Sequence, residues 1–483
     1  MCIYKYWISM SELTKRHRYL VLAICCMSLF LVSIDNTIVN VALPAIGSDL
    51  RASVSGLQWI IDAYTLVLAS LLMLGGSSAD RFGRKKFFMI GTALFIAGSL
   101  LCSVAPSLGW LVAFRMVQAV GGSMMNPVAM SIITNTFTDP KERAGAIGVW
   151  GGVVGISMAG GPLIGGALVT SAGWESIFWV NVPIGLIALF MTWKFVPESK
   201  AAHARRFDPA GQVLMIVLLA SVVFTIIEMP TKGWSSPTIL ATATIAVASL
   251  LGFLYVETHR TEPLVELSFF RSVPFSGATV IAVCAFGSLG GFLFLNTLYL
   301  QDVRGYSPLH AGLYTLPMAL MTLILAPISG RLTGSRGPRT SLVVAGVGFI
   351  VSSLMLTQLT ATTSFAWLAL PYLVFGIGFG MVNAPITNTA VSGMPRSQAG
   401  VASAVASTSR QVGQSLGVAV VGSIVTAGLV GTFADGFVDA ARSAWVVMTG
   451  AGIIVLALAF VTTGSWARGT AERVADRSSE LVA

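Results

Sequence analysis

The chain has 483 residues, 55% of them hydrophobic and only 10% charged, with a mean hydropathy of +0.82. So little charge cannot cover a water-soluble surface of this size, which makes the chain a polytopic membrane protein. Its net charge of +9 fits the loop lysines and arginines of such a protein, and no soluble domain offers them a nucleic-acid groove.

Apolar stretches long enough to cross a bilayer recur along the chain, about fourteen in all. Their centres fall near Leu31, Leu66, Phe95, Ala119, Gly155, Leu186, Leu218, Ala246, Gly287, Leu320, Val347, Gly378, Val412 and Val455. Strand-type alternation is missing, which disfavours a barrel. The first stretch has no small-residue cleavage site ahead of its apolar core and is expected to stay as an anchor. The cysteines show no metal spacing and read as packing residues.

Span 1 carries Asp35 and span 2 carries Asp62. Span 2 ends in a glycine-rich basic corner with Gly76, Asp80, Arg81, Gly83 and Arg84. The glycines permit a tight turn, and Asp80 is placed to accept backbone amides at a helix start. Span 4 holds Arg115 and Gln118, and span 5 holds Gly161, Pro162, Gly165 and Gly166. There the proline kinks the helix and the glycines admit a close neighbour. A polar linker runs from Lys194 to Asp208 and includes His203, Arg205 and Arg206; spans 7 and 8 follow. Arg410 sits inside span 13, and the tail after Trp466 is expected to fray. Trp59, Tyr64, Trp150, Asn296 and Tyr299, with Gln118 and Arg410, are candidates to line a cavity for flat organic cations.

Basic residues crowd the loops of one parity; the others hold only Arg51, Lys232, Arg304 and Arg442. This bias predicts an even number of spans with both termini cytoplasmic. Gly76–Gly83 recurs as Gly330–Gly337, and Pro140-x-x-x-Ala144-Gly145 recurs as Pro395-x-x-x-Ala399-Gly400, at nearly one offset. Spans 1–6 are thereby paired with spans 9–14. The predicted fold is all-α: two six-helix bundles plus two inserted helices, with the site between the bundles. The division is 1–197 for the first bundle, 198–270 for linkers and inserted helices, 271–466 for the second bundle and 467–483 for a cytoplasmic tail.

Counted along their helices at about 1.5 Å per residue, Asp35, Asp62 and Arg115 lie roughly 10–17 Å below the outer boundary, so mutual contact is possible. A charge at that depth costs about 2.5–3.5 kcal/mol on insertion scales, which argues for a use. Two acids and one arginine leave one surplus negative charge. A proton or a cationic substrate cancels it, and both together overshoot, which is the logic of antiport.

Several motifs together resemble the 14-span drug–proton antiporters of the major facilitator superfamily. They are Ile34-Asp35-Asn36-Thr37 through Pro44, Gly76-x-x-x-Asp80-Arg81-x-Gly83-Arg84-Lys85, Arg115-x-x-Gln118, and Gly161-Pro162-x-x-Gly165-Gly166. Ala119 stands where the fourth-helix motif usually has Gly, and Trp174-Glu175-Ser176 where the family often has Trp-Arg-Trp. The resemblance implies a proton-coupled multidrug efflux transporter of the cytoplasmic (inner) membrane. It implies that the Gly76–Arg84 loop latches one access state and that the Gly161–Gly166 kink serves export. Secondary transport of a natural solute such as an amino acid, sugar or siderophore is the alternative. Drugs, protons and the bilayer are the expected partners, and the sequence leaves an envelope adaptor protein open. The driving force is the proton gradient, without a cofactor. A phosphate-binding Gly-Lys-Ser/Thr loop, a zinc motif and a nucleophile triad are all missing, so no enzyme is expected.

Overall fold

The computed structural model describes residues 14–201, 207–260, 263–392 and 399–480. His203, Arg205 and Arg206 of the linker, and Pro395 of the second Pro-x-x-x-Ala-Gly copy, lie outside the described residues. Among the described residues fourteen helical segments are long and apolar enough to cross a membrane, the sixth being Ser176–Phe195 and the ninth Val273–Val303, and each predicted centre falls in its own one; the main helix of each is named below. In chain order they are α1 Lys15–Asp49, α2 Val54–Phe82, α3 Arg84–Ser103, α4 Leu108–Thr136, α5 Pro140–Ala172 and α6 Asn181–Phe195. Then come α7 Pro209–Lys232, α8 Pro237–His259, α9 Val273–Leu298, α10 Leu316–Arg336, α11 Arg339–Leu356, α12 Phe365–Val391, α13 Ala399–Gly428 and α14 Phe433–Val461.

Helix ends follow local chemistry. Ser53, Asp208, Ser364 and Thr432 cap α2, α7, α12 and α14 by accepting a backbone N–H with a side-chain oxygen. Pro209 occupies the first turn of α7, where its missing N–H costs nothing. Gly83 closes α2 at φ +119° and Gly337 closes α10 at φ +81°. Only glycine adopts such φ without strain, so the repeat seen in sequence is one helix stop used twice.

The packing repeats as well. In the first bundle α1 packs on α5, α2 on α4 and α3 on α6; in the second, α9 packs on α13, α10 on α12 and α11 on α14. Close glycine contacts lie in these pairs. A Cβ on Gly75 of α2 would come within 2.5 Å of the Ser123 carbonyl of α4, and one on Gly346 of α11 within 2.7 Å of the Leu456 backbone of α14.

The inserted hairpin α7–α8 lies along the line where α2 meets α13. Leu219, Val223 and Ile227 pack on Leu66 and Ala69 of α2 and on Ala419 of α13. Gln212 Nε2 donates to Ser70 O (2.5 Å), and Ser423 Oγ donates to Ile226 O (2.6 Å). One hairpin therefore grips both bundles.

The tail departs from expectation. Residues Ser465–Glu480 form a further helix, α15, with Ala467, Ala471 and Val474 buried. Thr470 Oγ1 accepts the Val273 N–H at 3.0 Å, which ties the helix to the start of α9. Alanine and valine spaced at three and four residues give this polar stretch an apolar stripe, and composition averaged over the tail hides it.

An even number of crossings puts the two ends of the helical array on one face, here called the basic face. Away from that face the bundles meet. Asn36 Nδ2 donates to Gln414 Oε1 (3.2 Å), Gln58 Nε2 donates to Val418 O (3.0 Å) and Ala419 O (2.8 Å), and Gln301 Nε2 donates to Val41 O (2.8 Å). Toward the basic face the walls part. Cβ atoms on Gly148, Gly151 and Gly152 of α5, or on Gly330 and Gly334 of α10, would meet nothing within 4 Å. The cleft opens on the basic face and is shut at the far one.

Candidate functional site

Asp35 and Arg115 form an ion pair of 2.5 Å with both side chains buried. Arg115 is tethered further: its Nη1 donates to Gln118 Oε1 (2.7 Å), its Nε to Ile60 O (3.4 Å), and its guanidinium stacks 4.0 Å from the Tyr64 ring centre. The other carboxylate oxygen of Asp35 accepts from Gln118 Nε2 and from Asn181 Nδ2, each at 2.8 Å. Both amides also donate to Ser99 Oγ, at 2.7 and 3.3 Å. Five helices, α1, α2, α3, α4 and α6, thus converge on one electrically neutral knot. A buried charge survives when it is paired and its lone pairs are filled, and both conditions hold here.

Asp62 stands apart. It is fully buried, yet neither carboxylate oxygen makes a hydrogen bond of normal geometry; only the Ser415 and Thr65 hydroxyls lie close enough to act on it. Ser415 is on α13, so Asp62 sits at the seam between the bundles, one turn along α2 from Gln58. The sequence places Asp35, Asp62 and Arg115 at one depth. The structure joins the first and third and sets the second on another face.

The cavity candidates divide. Tyr64 and Gln118 belong to the knot. Asn296 and Tyr299 are enclosed in the second bundle and line no cleft in this conformation. Asn296 Oδ1 accepts from Tyr372 Oη, and Tyr299 Oη donates to Thr360 O at 2.7 Å. Trp59 turns to the inserted hairpin instead, donating from Nε1 to Glu228 Oε1 (3.0 Å). Trp150 and Arg410 are half-buried. In the second bundle the region around Asn296 is aromatic: Phe292 lies 4.1 Å from Phe375, 5.1 Å from Tyr372 and 6.2 Å from Trp445, ring centre to ring centre. The repeat kept the helices and not the charges.

The Gly161–Gly166 run serves the far closure. A Cβ on Gly161 would strike Thr37 and one on Gly165 would lie 2.5 Å from Ile38, both on α1. One on Gly166 would lie 2.6 Å from Leu309 Cα, in the short helix Pro308–Tyr314 that leads into α10. That helix returns the contact, since Gly312 abuts the Pro162 carbonyl. This run is where the second bundle seats on the first.

At the basic face one expectation is corrected. Asp80 does not cap α3. It lies in the last turn of α2, where its side chain pairs with Arg84 (2.8 Å) and its carbonyl accepts the Ala201 N–H (3.0 Å). The cap is Glu198 of the linker, which accepts the Lys85 N–H (3.0 Å) and the Lys86 N–H (3.2 Å). Arg84 N–H donates to Ser199 O at 2.9 Å, Gly76 packs on Pro127, and Arg81 lies over the Phe207 ring. The linker therefore straps the α2–α3 corner. Replacing Glu198 with Ala removes a charged cap and is expected to cost roughly 1 kcal/mol. A thermal melt of the purified protein measures this; an unchanged midpoint contradicts it.

Sequence reading passed over Asn181, Ser99 and Gln58. Asn181 stands as an amide at the opening of an apolar span, and that position was the available sign. Nothing in the sequence marks Ser99. Gln58 is one helical turn from Asp62, and that spacing was the available sign.

Two packed helical bundles around a cleft open at one end, with buried charges at its edge, define a membrane transporter that works by alternating access. The chain belongs to the Major Facilitator Superfamily, whose model matches residues 25–418. It is 36% identical over 418 residues to the multidrug resistance protein Stp of Mycobacterium tuberculosis, covering 86% of this chain and 78% of the relative. It is 38% identical over 416 residues to the tetracenomycin C resistance and export protein of Streptomyces glaucescens, covering 86% and 77%. Among solved structures it resembles a bacterial homologue of the human lysosomal transporter Spinster, in an inward-facing and unoccupied conformation. That match has a TM-score of 0.67 at 19% identity and covers 95% of this chain and 99% of the other.

Proposed function

We propose that the protein exports hydrophobic, often cationic compounds across the cytoplasmic membrane in exchange for protons. The basic face is then cytoplasmic, both termini are inside, and the conformation described is inward-facing. The loop charge bias supports this orientation. Relatives named for multidrug resistance and for tetracenomycin C export support the direction and the kind of cargo. The proton gradient supplies the energy. The division at residues 1–197, 198–270, 271–466 and 467–483 belongs to the same reading, as does the Gly76–Arg84 corner, strapped by Glu198, as a latch on this state.

The observation that carries the coupling is the isolation of Asp62. Arg115 is already neutralised by Asp35, so it offers Asp62 no compensation. A charged carboxylate closed into the seam between α2 and α13 has no counter-charge, and such burial is costly. A proton taken from outside removes that charge and lets the outer seam close over Asp62. On the inner side, a cationic compound entering the cleft supplies the compensation and releases the proton. Asp35 holds Arg115 and the helices around it in register.

Asp62→Asn fixes the neutral form. The variant is expected to fold normally and to equilibrate ethidium across the membrane. In inverted vesicles with an imposed pH gradient it is expected to lose concentrative transport at least tenfold. Wild-type accumulation by that variant would sink the assignment.

A further inference from the structure

Arg410 is the cation within a span that the proton cycle leaves unused. It lies near the middle of the thirty-residue α13. Inside a bilayer an arginine is expected to find a carboxylate or to fill its five donors with fixed acceptors. Arg115 does both. Arg410 does neither: among the described residues it has no acidic partner, and its two hydrogen bonds both leave from Nη2, to Thr387 Oγ1 (2.5 Å) and weakly to Asn383 O (3.4 Å). Its Nε is buried with no acceptor. The carbonyl and hydroxyl it touches carry no net charge, so its positive charge stands uncompensated.

Its place decides what that charge meets. Gln414, one turn further along the same face of α13, accepts the hydrogen bond from Asn36 that joins the bundles. Arg410 is therefore one turn to the cytoplasmic side of that junction, where the walls begin to part. Arg410, Asn383 and Thr387 are each half-buried, so the site is reached from the cleft. The Phe286 ring lies 5.8 Å from the guanidinium and packs on Phe379. A flat aromatic compound bearing an oxyanion fits both features, with its ring against Phe286 and its acid on the free edge of the guanidinium.

We propose that Arg410 forms an anion subsite of the export cavity, which seats the carboxylate or ionised phenol of an aromatic substrate. This extends the cargo from cations to acids and zwitterions, and it rests on the transport reading above. It also explains how an uncompensated arginine is tolerated in the span: the empty site waits for the charge that the cargo brings.

The test uses the full-length protein in zwitterionic detergent-free nanodiscs of phosphatidylcholine, with fluorescein as the anionic probe and ethidium as the cationic one. Binding is read by fluorescence polarisation. Wild type is expected to bind both. Arg410→Gln is expected to weaken fluorescein at least tenfold and ethidium less than threefold, and Arg410→Lys is expected to fall between. Thr387→Val frees the guanidinium and is expected to keep or tighten fluorescein binding. Wild type that binds no fluorescein overturns the proposal. So does an equal loss of both probes in Arg410→Gln, or a loss of fluorescein in Thr387→Val, since each marks a structural lock. If phosphatidylglycerol in the nanodisc displaces fluorescein from the wild type and not from Arg410→Lys, the anion is a lipid phosphate and the substrate assignment fails. In closed proteoliposomes, wild type that moves no ethidium in response to a pH gradient, while it still binds fluorescein in nanodiscs, would defeat the export reading and leave the subsite standing.

Discussion

Removing either member of the Asp35–Arg115 pair is expected to damage the protein far more than removing both. Arg115→Gln leaves Asp35 with a charge matched only by two amides, and Asp35→Asn leaves Arg115 with a charge matched by a carbonyl, an amide and a ring face. A buried charge stranded in this way costs about 3–5 kcal/mol. For each single variant a large loss of folded, monodisperse protein and a lowered melting midpoint are expected. The double variant has no net charge in the knot, and Ser99, Gln118 and Asn181 remain to pair among themselves. It is expected to recover most of the stability, because a buried pair taken as a whole contributes little net. Melts of the four proteins form the cycle. If the double variant is as unstable as the sum of the singles, the pair is not the unit described here. Transport need not return with stability, since the double variant also changes the field at the edge of the cleft.

The spans were legible because their signal is a property of single segments. Twenty apolar residues in a row declare a crossing whatever surrounds them. The glycine stops at Gly83 and Gly337 were legible for a similar reason: a positive φ is a local demand that few residues meet. Depth could also be counted, which put Asp35, Asp62 and Arg115 at one level. What depth does not give is azimuth. Each residue turns the helix by about 100°, so two acids on neighbouring helices can face different partners at the same height. Asp35 faces α4 and α6, while Asp62 faces Ser415 on α13, far along the chain. Pairings of that kind depend on which helices are neighbours and how each is rotated. Glu198 and α15 escaped for another reason. Both sit in polar stretches, where what matters is one carboxylate near two free N–H groups, or three apolar residues at the right spacing, and an average over the segment erases both.

In the orientation proposed above, Gly166→Leu is expected to hold the outer side open. In the conformation described, a Cβ at this position would already lie 2.6 Å from the Pro308 carbonyl and from Leu309 Cα. Those are backbone atoms, so no side-chain rotation relieves the clash, and the short helix Pro308–Tyr314 must move off α5. Overpacking of this kind typically costs about 1–3 kcal/mol. Charged to the outer-closed state alone, that shifts the ratio of outward-open to inward-open protein by a factor of roughly 5–150. The fold need not suffer, because in the outward-open state the two surfaces have separated. Two readouts are expected to agree. Ethidium efflux from intact cells should fall by roughly the shift in population, with little change in the melting midpoint. A thiol introduced by Asn40→Cys, buried in the outer half of α1, should react with an externally added impermeant maleimide faster in the Gly166→Leu background than without it. Efflux at the parental rate together with unchanged labelling would mean that α5 and the short helix do not form the outer seal. Slower efflux with slower labelling would mean that the added side chain wedges the inward-open state shut, opposite to the sense argued from the contact between Gly166 and Leu309.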